Sequence, residues 1–178
     1  MDDEQLKALA KSGGVIQMVG FSSYIKTTRP DSPARSAALA ALRKTFALPD
    51  PPPPGQRGGG AGRGALAAAI GQLPPDRRAD YDRQLAAIDR NTPADPPATV
   101  QDFVNHIDYA VKLIGIDHVG ISSDFDGGGG IDGWRDASET FNVTLELVRR
   151  GYTEPQIAQI WSGNLLRVMD AVQKAAGK

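Results

Sequence analysis

The chain has 178 residues, with 20 lysines and arginines against 21 aspartates and glutamates, two histidines and no cysteine. Balanced charge gives no global field to attract nucleic acid or an anionic membrane. The missing cysteines exclude a disulfide scaffold, a thiolate zinc site and a cysteine nucleophile. The length fits one domain, no apolar run approaches the roughly 18 residues of a membrane span, and the opening Met1-Asp2-Asp3-Glu4 does not read as a signal peptide.

Twelve of the 13 prolines fall between Pro30 and Pro97, which divides the chain into three parts. In the first, Asp2 or Asp3 can cap a short helix carrying Leu6 and Leu9, ended by Gly13-Gly14. Val15 to Phe21 is an almost unbroken apolar run, the pattern of a parallel strand buried on both faces. The middle part, about 29–98, is a Pro/Gly-rich excursion. Ser36–Leu48 and Asp76–Arg90 have helical spacing, the latter through Tyr81, Leu85 and Ile88. Between them Pro49–Gly60 cannot bury enough apolar surface to offset its ordering entropy, and reads as a mobile surface excursion. Its Arg57 and the nearby Arg63, without interleaved aromatics, are thin support for RNA contact.

Order returns at Thr99, where Asp102 sits in the place of a capping-box acid. Phe103, Ile107, Val111 and Ile114 mark a helix that Gly115 closes. His118 to Asp124 reads as a second buried strand, followed by a glycine loop over Asp126–Asp132. Asp136 or Ser138 can cap a helix carrying Phe141, Leu145 and Val148, and Thr153-Glu154-Pro155-Gln156 combines a capping box with an early proline. Asn164 is placed to cap the last helix, with Leu165, Leu166 and Met169 facing inward. Two parallel strands do not close a sheet, and an eight-stranded α/β barrel takes about 250 residues.

The sharpest chemical feature is Ser122-Ser123-Asp124-Phe125-Asp126 with Gly127–Gly130 behind it. An acid at the C-terminal end of a buried parallel strand lies where barrels place active sites. A turn-capping carboxylate would look the same. His118 shares the strand's face with Asp124 but lies roughly 20 Å away at its other end, where features serve stability. His106, four residues after Asp102, reads as a helix-boundary histidine. Tyr24, three residues past Phe21, is either a phenol at the strand tips that binds a carboxylate or an aromatic lying over them. Trp134 reads as a loop anchor and Trp161 as a helix contact. The chain has no phosphate loop, no H-E-x-x-H and no G-x-S-x-G, and no three or four metal ligands at plausible spacing.

Leu113-Ile114-Gly115-Ile116-Asp117-His118-Val119-Gly120-Ile121-Ser122-Ser123-Asp124-Phe125-Asp126-Gly127 closely resembles the last barrel strand of the membrane dipeptidases, the renal dipeptidase family of zinc peptidases. Gly13–Val19, Arg150-Gly151-Tyr152-Thr153 and Gly163–Val168 support the match in the right order, and the proline-rich excursion falls outside it.

The resemblance implies an α/β chain forming the C-terminal part of a (β/α)8 TIM-type barrel. It would hold the last two strands and closing helices, incomplete as a barrel, as one partial metallo-dipeptidase domain over 1–178. It implies hydrolysis of dipeptides, with two zinc ions in the complete enzyme bridged by a carboxylate and a hydroxide. Asp124 matches the final-strand aspartate that handles the proton of the attacking water, and Tyr24 a tyrosine that holds the substrate carboxylate. His106 and His118 match no ligand position. The family's His-x-Asp pair, bridging glutamate and two further histidines belong to a portion that would precede Met1, as does a substrate-binding arginine. The expectation is therefore a C-terminal fragment that alone binds no zinc and is inactive. A dipeptide substrate, no nucleic acid and a homodimer when complete are the expected partners; the compartment stays open. The alternatives are another barrel metallohydrolase (an amidase or deaminase) and a non-catalytic RNA-contacting module.

Overall fold

A computed structural model of the chain describes residues 1–50 and 61–177. They divide into two compact units: Met1–Thr27 with Pro97–Phe125 and Gly129–Lys178, and Thr28–Pro96 with Asp126–Gly128.

The first unit is built on a parallel strand pair. Helix α1 (Asp3–Lys11) starts with a reciprocal cap, the Gln5 N–H donating to the Asp2 carboxylate and the Asp2 N–H to the Gln5 side chain. Strand β1 (Ile16–Val19) follows, then a single turn, α2 (Ser22–Ile25). After the excursion, α6 (Val100–Ile114) opens with the expected Thr99–Asp102 box. It ends at Gly115, whose φ of +88° few side chains tolerate. A 3-10 turn (Ile116–His118) leads into β2 (Val119–Ser122). The strands pair in parallel, Ile16 opposite Val119 through Val19 opposite Ser122. Both are shorter than the apolar runs suggest, because the backbone winds at His118 and turns at Phe21. Val119 to Ile121 are buried. All four residues of β1 are only half-buried, which corrects the expectation of a strand covered on both faces. Among the described residues β2 is the only strand that pairs with it.

Helices α6, α7 (Phe141–Arg149), α8 (Glu154–Ala158) and α9 (Asn164–Ala175) complete the unit. The core gathers Phe103, Ile107, Val119, Val143, Leu147 and Ile160 around Trp134. The Trp134 ring lies 5.3 Å from Phe103 and 6.1 Å from Trp161, so it anchors its loop as expected.

Two helix faces are turned from their expected direction. In α7 the buried residues are Val143, Glu146 and Leu147, while Phe141 and Val148 are exposed. The buried Glu146 carboxylate is matched by Arg150, which donates from Nε at 2.9 Å and reaches Asp108 on α6 at 2.7 Å. A buried carboxylate left without that counter-charge would be costly. In α9, Leu165, Leu166 and Met169 are exposed, not inward. Between α8 and α9 the chain passes through a π turn at Gln159–Gly163, which shifts the helical phase. Asn164 therefore does not cap. It is buried, and its amide donates to the carbonyls of Ile116 at 2.7 Å and Val119 at 2.8 Å, fixing the entry to β2.

The second unit is helical, with α3 (Pro33–Thr45), α4 (Ala61–Gly71) and α5 (Pro75–Asn91). Ser32 caps α3 through the Arg35 N–H. Leu42, Phe46 and Tyr81 form a small core, the two rings edge to face at 5.4 Å. Arg35 joins its ends by donating to the Thr92 carbonyl and to Asp89, both at 2.8 Å. Helix α4 was not anticipated in its glycine-rich surroundings; the Ala65–Ile70 run has strong helix formers that outweigh them. Of the Pro49–Gly60 stretch, 51–60 lie outside the described residues, so its mobility is not addressed. Arg57 and the side chain of Arg63 fall outside them as well.

Asn164→Ala should destabilise the purified protein by about 2–3 kcal/mol, because a buried and a part-buried carbonyl lose their donor. Leu166→Gln, on an exposed face, should stay within about 0.5 kcal/mol. Urea unfolding followed by tryptophan fluorescence measures both; equal effects would contradict the helix orientation described above.

Candidate active site

The strand register places the ends of β1 and β2 side by side. Beyond β2, Ser123 and Asp124 leave the sheet, and Asp124 takes a left-handed conformation, φ +57°. For a residue with a Cβ this costs roughly 1–2 kcal/mol, although aspartate tolerates it better than most. The turn is held from below. The Gly129 N–H donates to the Asp124 carbonyl at 2.6 Å, and the Gly130 N–H donates to the Gly20 carbonyl at 2.7 Å. Gly130 thereby bridges in parallel to Phe21 and ties the loop back onto the end of β1. A Cβ on Gly129 would run into the Ser123 carbonyl oxygen, and one on Gly20 would sit 2.8 Å from the Trp134 ring. Both glycines are needed because backbone and indole pass that close.

These restraints leave the Asp124 side chain exposed and, among the described residues, without a hydrogen-bond or ion-pair partner. The expected strand-tip acid is therefore a held backbone with a free carboxylate.

Tyr24 lies on α2, directly after β1. It is 74% exposed, its ring stacked on Phe21 at 4.7 Å and its phenol unpaired among the described residues. It borders a cavity of about 550 Å³ with Leu6, Met18, His106 and Tyr109. Asp124 does not border that cavity. The two residues follow neighbouring strand ends.

α6 and the residues leading into it fasten α2 and its C-terminal neighbour Lys26 at three points. The Ala98 N–H donates to the Ser22 hydroxyl at 3.0 Å, Lys26 approaches Asp102 at 3.8 Å, and His106 Nε2 lies 2.9 Å from the Ile25 carbonyl oxygen. The Asp102 carboxyl is held below its ordinary range, first by the Thr99 backbone N–H and then by the Thr99 hydroxyl and Lys26. The sequence alone does not reveal the His106–Ile25 contact. The four-residue spacing to Asp102 was visible, but the partner carbonyl lies 81 residues away.

His118 does not open β2 as expected but closes the 3-10 turn before it, with Nδ1 2.8 Å from the Gly14 carbonyl oxygen. Both histidines thus spend a ring nitrogen on backbone carbonyls. Among the described residues no three His, Cys, Asp or Glu side chains are grouped to hold a metal ion. The residues described do not fit a zinc centre. No described helix is long and apolar enough to cross a membrane.

Parallel strands with a free acid beyond their C-terminal ends define an α/β protein of the kind that carries enzyme sites at strand tips. The sequence pattern of the membrane dipeptidase family (peptidase family M19) matches residues 1–178, and the chain belongs to that family. It is 42% identical over 87 residues to dipeptidase ataJ of Aspergillus terreus, a stretch covering 48% of this chain and 21% of that protein. It is 34% identical over 82 residues to dipeptidase 3 of Rattus norvegicus, 46% of this chain and 17% of that one. Among solved structures, the probable dipeptidase PvdM from Pseudomonas aeruginosa superposes with a TM-score of 0.59 at 42% identity. That likeness covers 98% of this chain and 41% of PvdM. The chain therefore spans well under half the length of these relatives.

Gly129→Ala should lower stability by about 1–3 kcal/mol through the enforced clash at the Asp124 turn. Asp124→Gly should be neutral or stabilising by up to about 1 kcal/mol, since it relieves the left-handed strain. Thermal unfolding of the two variants checks this; a stable Gly129→Ala protein would contradict the turn geometry.

Proposed function

We propose that this chain forms the final two strands and closing helices of a (β/α)8 barrel that hydrolyses dipeptides. Asp124 is its acid–base group and Tyr24 the group that receives the substrate's C-terminal carboxylate. The observation that carries the reading is the Asp124 carboxylate, exposed and, among the described residues, unpaired, just past the end of β2 on a turn that glycines hold fixed.

In this reading the Asp124 carboxylate takes a proton from the attacking water. The tetrahedral species collapses, and the protonated Asp124 returns the proton to the departing amine, so the group ends as it began. Chemistry of this kind needs a carboxylate that substrate and water can reach, which exposure provides. The Tyr24 hydroxyl donates to the carboxylate of the C-terminal residue, fixing which end of the dipeptide lies toward β1. Two zinc ions are part of the family resemblance. Because the described residues do not group into a metal site, no step here is routed through a metal.

Asp124→Asn in the protein at its native length should lower kcat by about 10²–10⁴-fold with dipeptide binding retained. Tyr24→Phe should act mainly on KM. The 178-residue chain by itself should neither retain zinc in equilibrium dialysis nor hydrolyse dipeptides, since its two histidines are engaged elsewhere. Wild-type kcat in the Asn variant would overturn the acid–base role. Zinc-dependent turnover by the isolated chain would overturn the assignment of its histidines.

A further inference from the structure

We propose that His106 is a positioning residue: by donating Nε2–H to the Ile25 carbonyl it holds the α2 turn so that the Tyr24 phenol is presented to a substrate carboxylate. The proposal rests on the reading of Tyr24 given above and adds the device that makes an exposed side chain geometrically selective.

α2 has four residues, too few for a helix to persist unaided. It buries none of them, and only Ile25, half-buried, packs toward the core. Hydrophobic contact therefore does little to fix it. Its position comes from α6, whose own Phe103, Val104, Ile107 and Ala110 are buried and seat that helix firmly.

Three contacts reach this turn: one from the Ala98 backbone N–H, just before α6 begins, and two from the side chains of Asp102 and His106, four apart on one face of α6. They are not equivalent. Ser22 is held at the start of the turn, before Tyr24. The Lys26–Asp102 pair is long at 3.8 Å and a third exposed on each side, so solvent weakens it. His106 alone grips the carbonyl immediately after Tyr24. A carbonyl oxygen only accepts, so Nε2 must carry the proton, as it does both in one neutral tautomer and in the imidazolium form. The clasp holds in both protonation states.

What is held is a phenol that, among the described residues, makes no hydrogen bond, on a ring aligned by Phe21. His106 and Tyr24 border the same cavity of about 550 Å³. A turn fastened this closely around an unpaired donor is suited to a ligand group that only accepts, which a carboxylate does.

The test compares a dipeptide with the matching dipeptide amide on the native-length protein. Its variants are Tyr24→Phe, His106→Leu, His106→Phe (a ring without the donor) and His106→Gln (a donor without the ring). His106→Leu and His106→Phe should raise KM for the free dipeptide about fivefold, the effect of one ordinary hydrogen bond. They should leave kcat and the KM of the amide little changed, and His106→Gln should restore most of the preference. The ring signal of ¹³C-tyrosine at position 24 should shift in the Leu and Phe variants and return in the Gln variant. If Tyr24→Phe abolishes the preference for the free carboxylate while both His106 variants keep it, the proposal is overturned. If Tyr24→Phe itself keeps the preference, the Tyr24 reading fails and the proposal with it; the ring signal then separates a clasp without that role from no clasp.

Discussion

Four facing pairs, from Ile16 with Val119 to Val19 with Ser122, set β1 and β2 in one parallel register, and the placement of every candidate residue follows from it. A slip of one position would turn each side chain to the other face. The register is fixed at both ends. At its start, the Asn164 amide holds the carbonyls of Ile116 and Val119, and His118 reaches the Gly14 carbonyl. At its finish, the Gly130 N–H closes onto Gly20. Both fastenings are polar groups satisfied inside or beside the core, where an unpaired carbonyl would cost far more than one hydrogen bond gains.

The two strand ends are then treated differently. After β2 the chain makes a strained turn, and glycines bring the backbone close enough to hold it, leaving an exposed carboxylate that has no partner among the described residues. After β1 it makes one helical turn with little burial, secured by polar contacts from the well-packed α6. In the proposed reading, an acid that exchanges protons and a phenol that receives a charged group share one requirement, a fixed backbone under an unengaged side chain. The fold offers it by strain and close packing in one case and by three polar contacts in the other.

Much of this was legible in the sequence where the deciding chemistry is local. The caps at Asp2, Thr99 and Thr153 are satisfied three residues away, so their spelling predicts them. The apolar runs around Met18 and Val119 mark the strands, and Asp124 before four glycines marks the strand-tip acid. The errors have non-local causes. The inward face assigned to Leu165, Leu166 and Met169 began the last helix from a cap at Asn164, whereas the π turn at Gln159–Gly163 runs straight into that helix and buries Asn164 itself. The face assigned to Phe141 and Val148 ignored that Arg150 and Asp108 make a buried Glu146 acceptable. His106 looked like an ordinary helix-boundary residue because its partner, the Ile25 carbonyl, approaches only in the folded chain.

The account stands on the Asp124 carboxylate meeting the reacting atoms. A crystal structure of the native-length protein with a phosphinic dipeptide analogue, a tetrahedral mimic of the hydrated peptide bond, measures that directly. An Asp124 oxygen should lie about 2.6–3.2 Å from a phosphinyl oxygen. An analogue bound with Asp124 turned to solvent and a different side chain on that oxygen would contradict it.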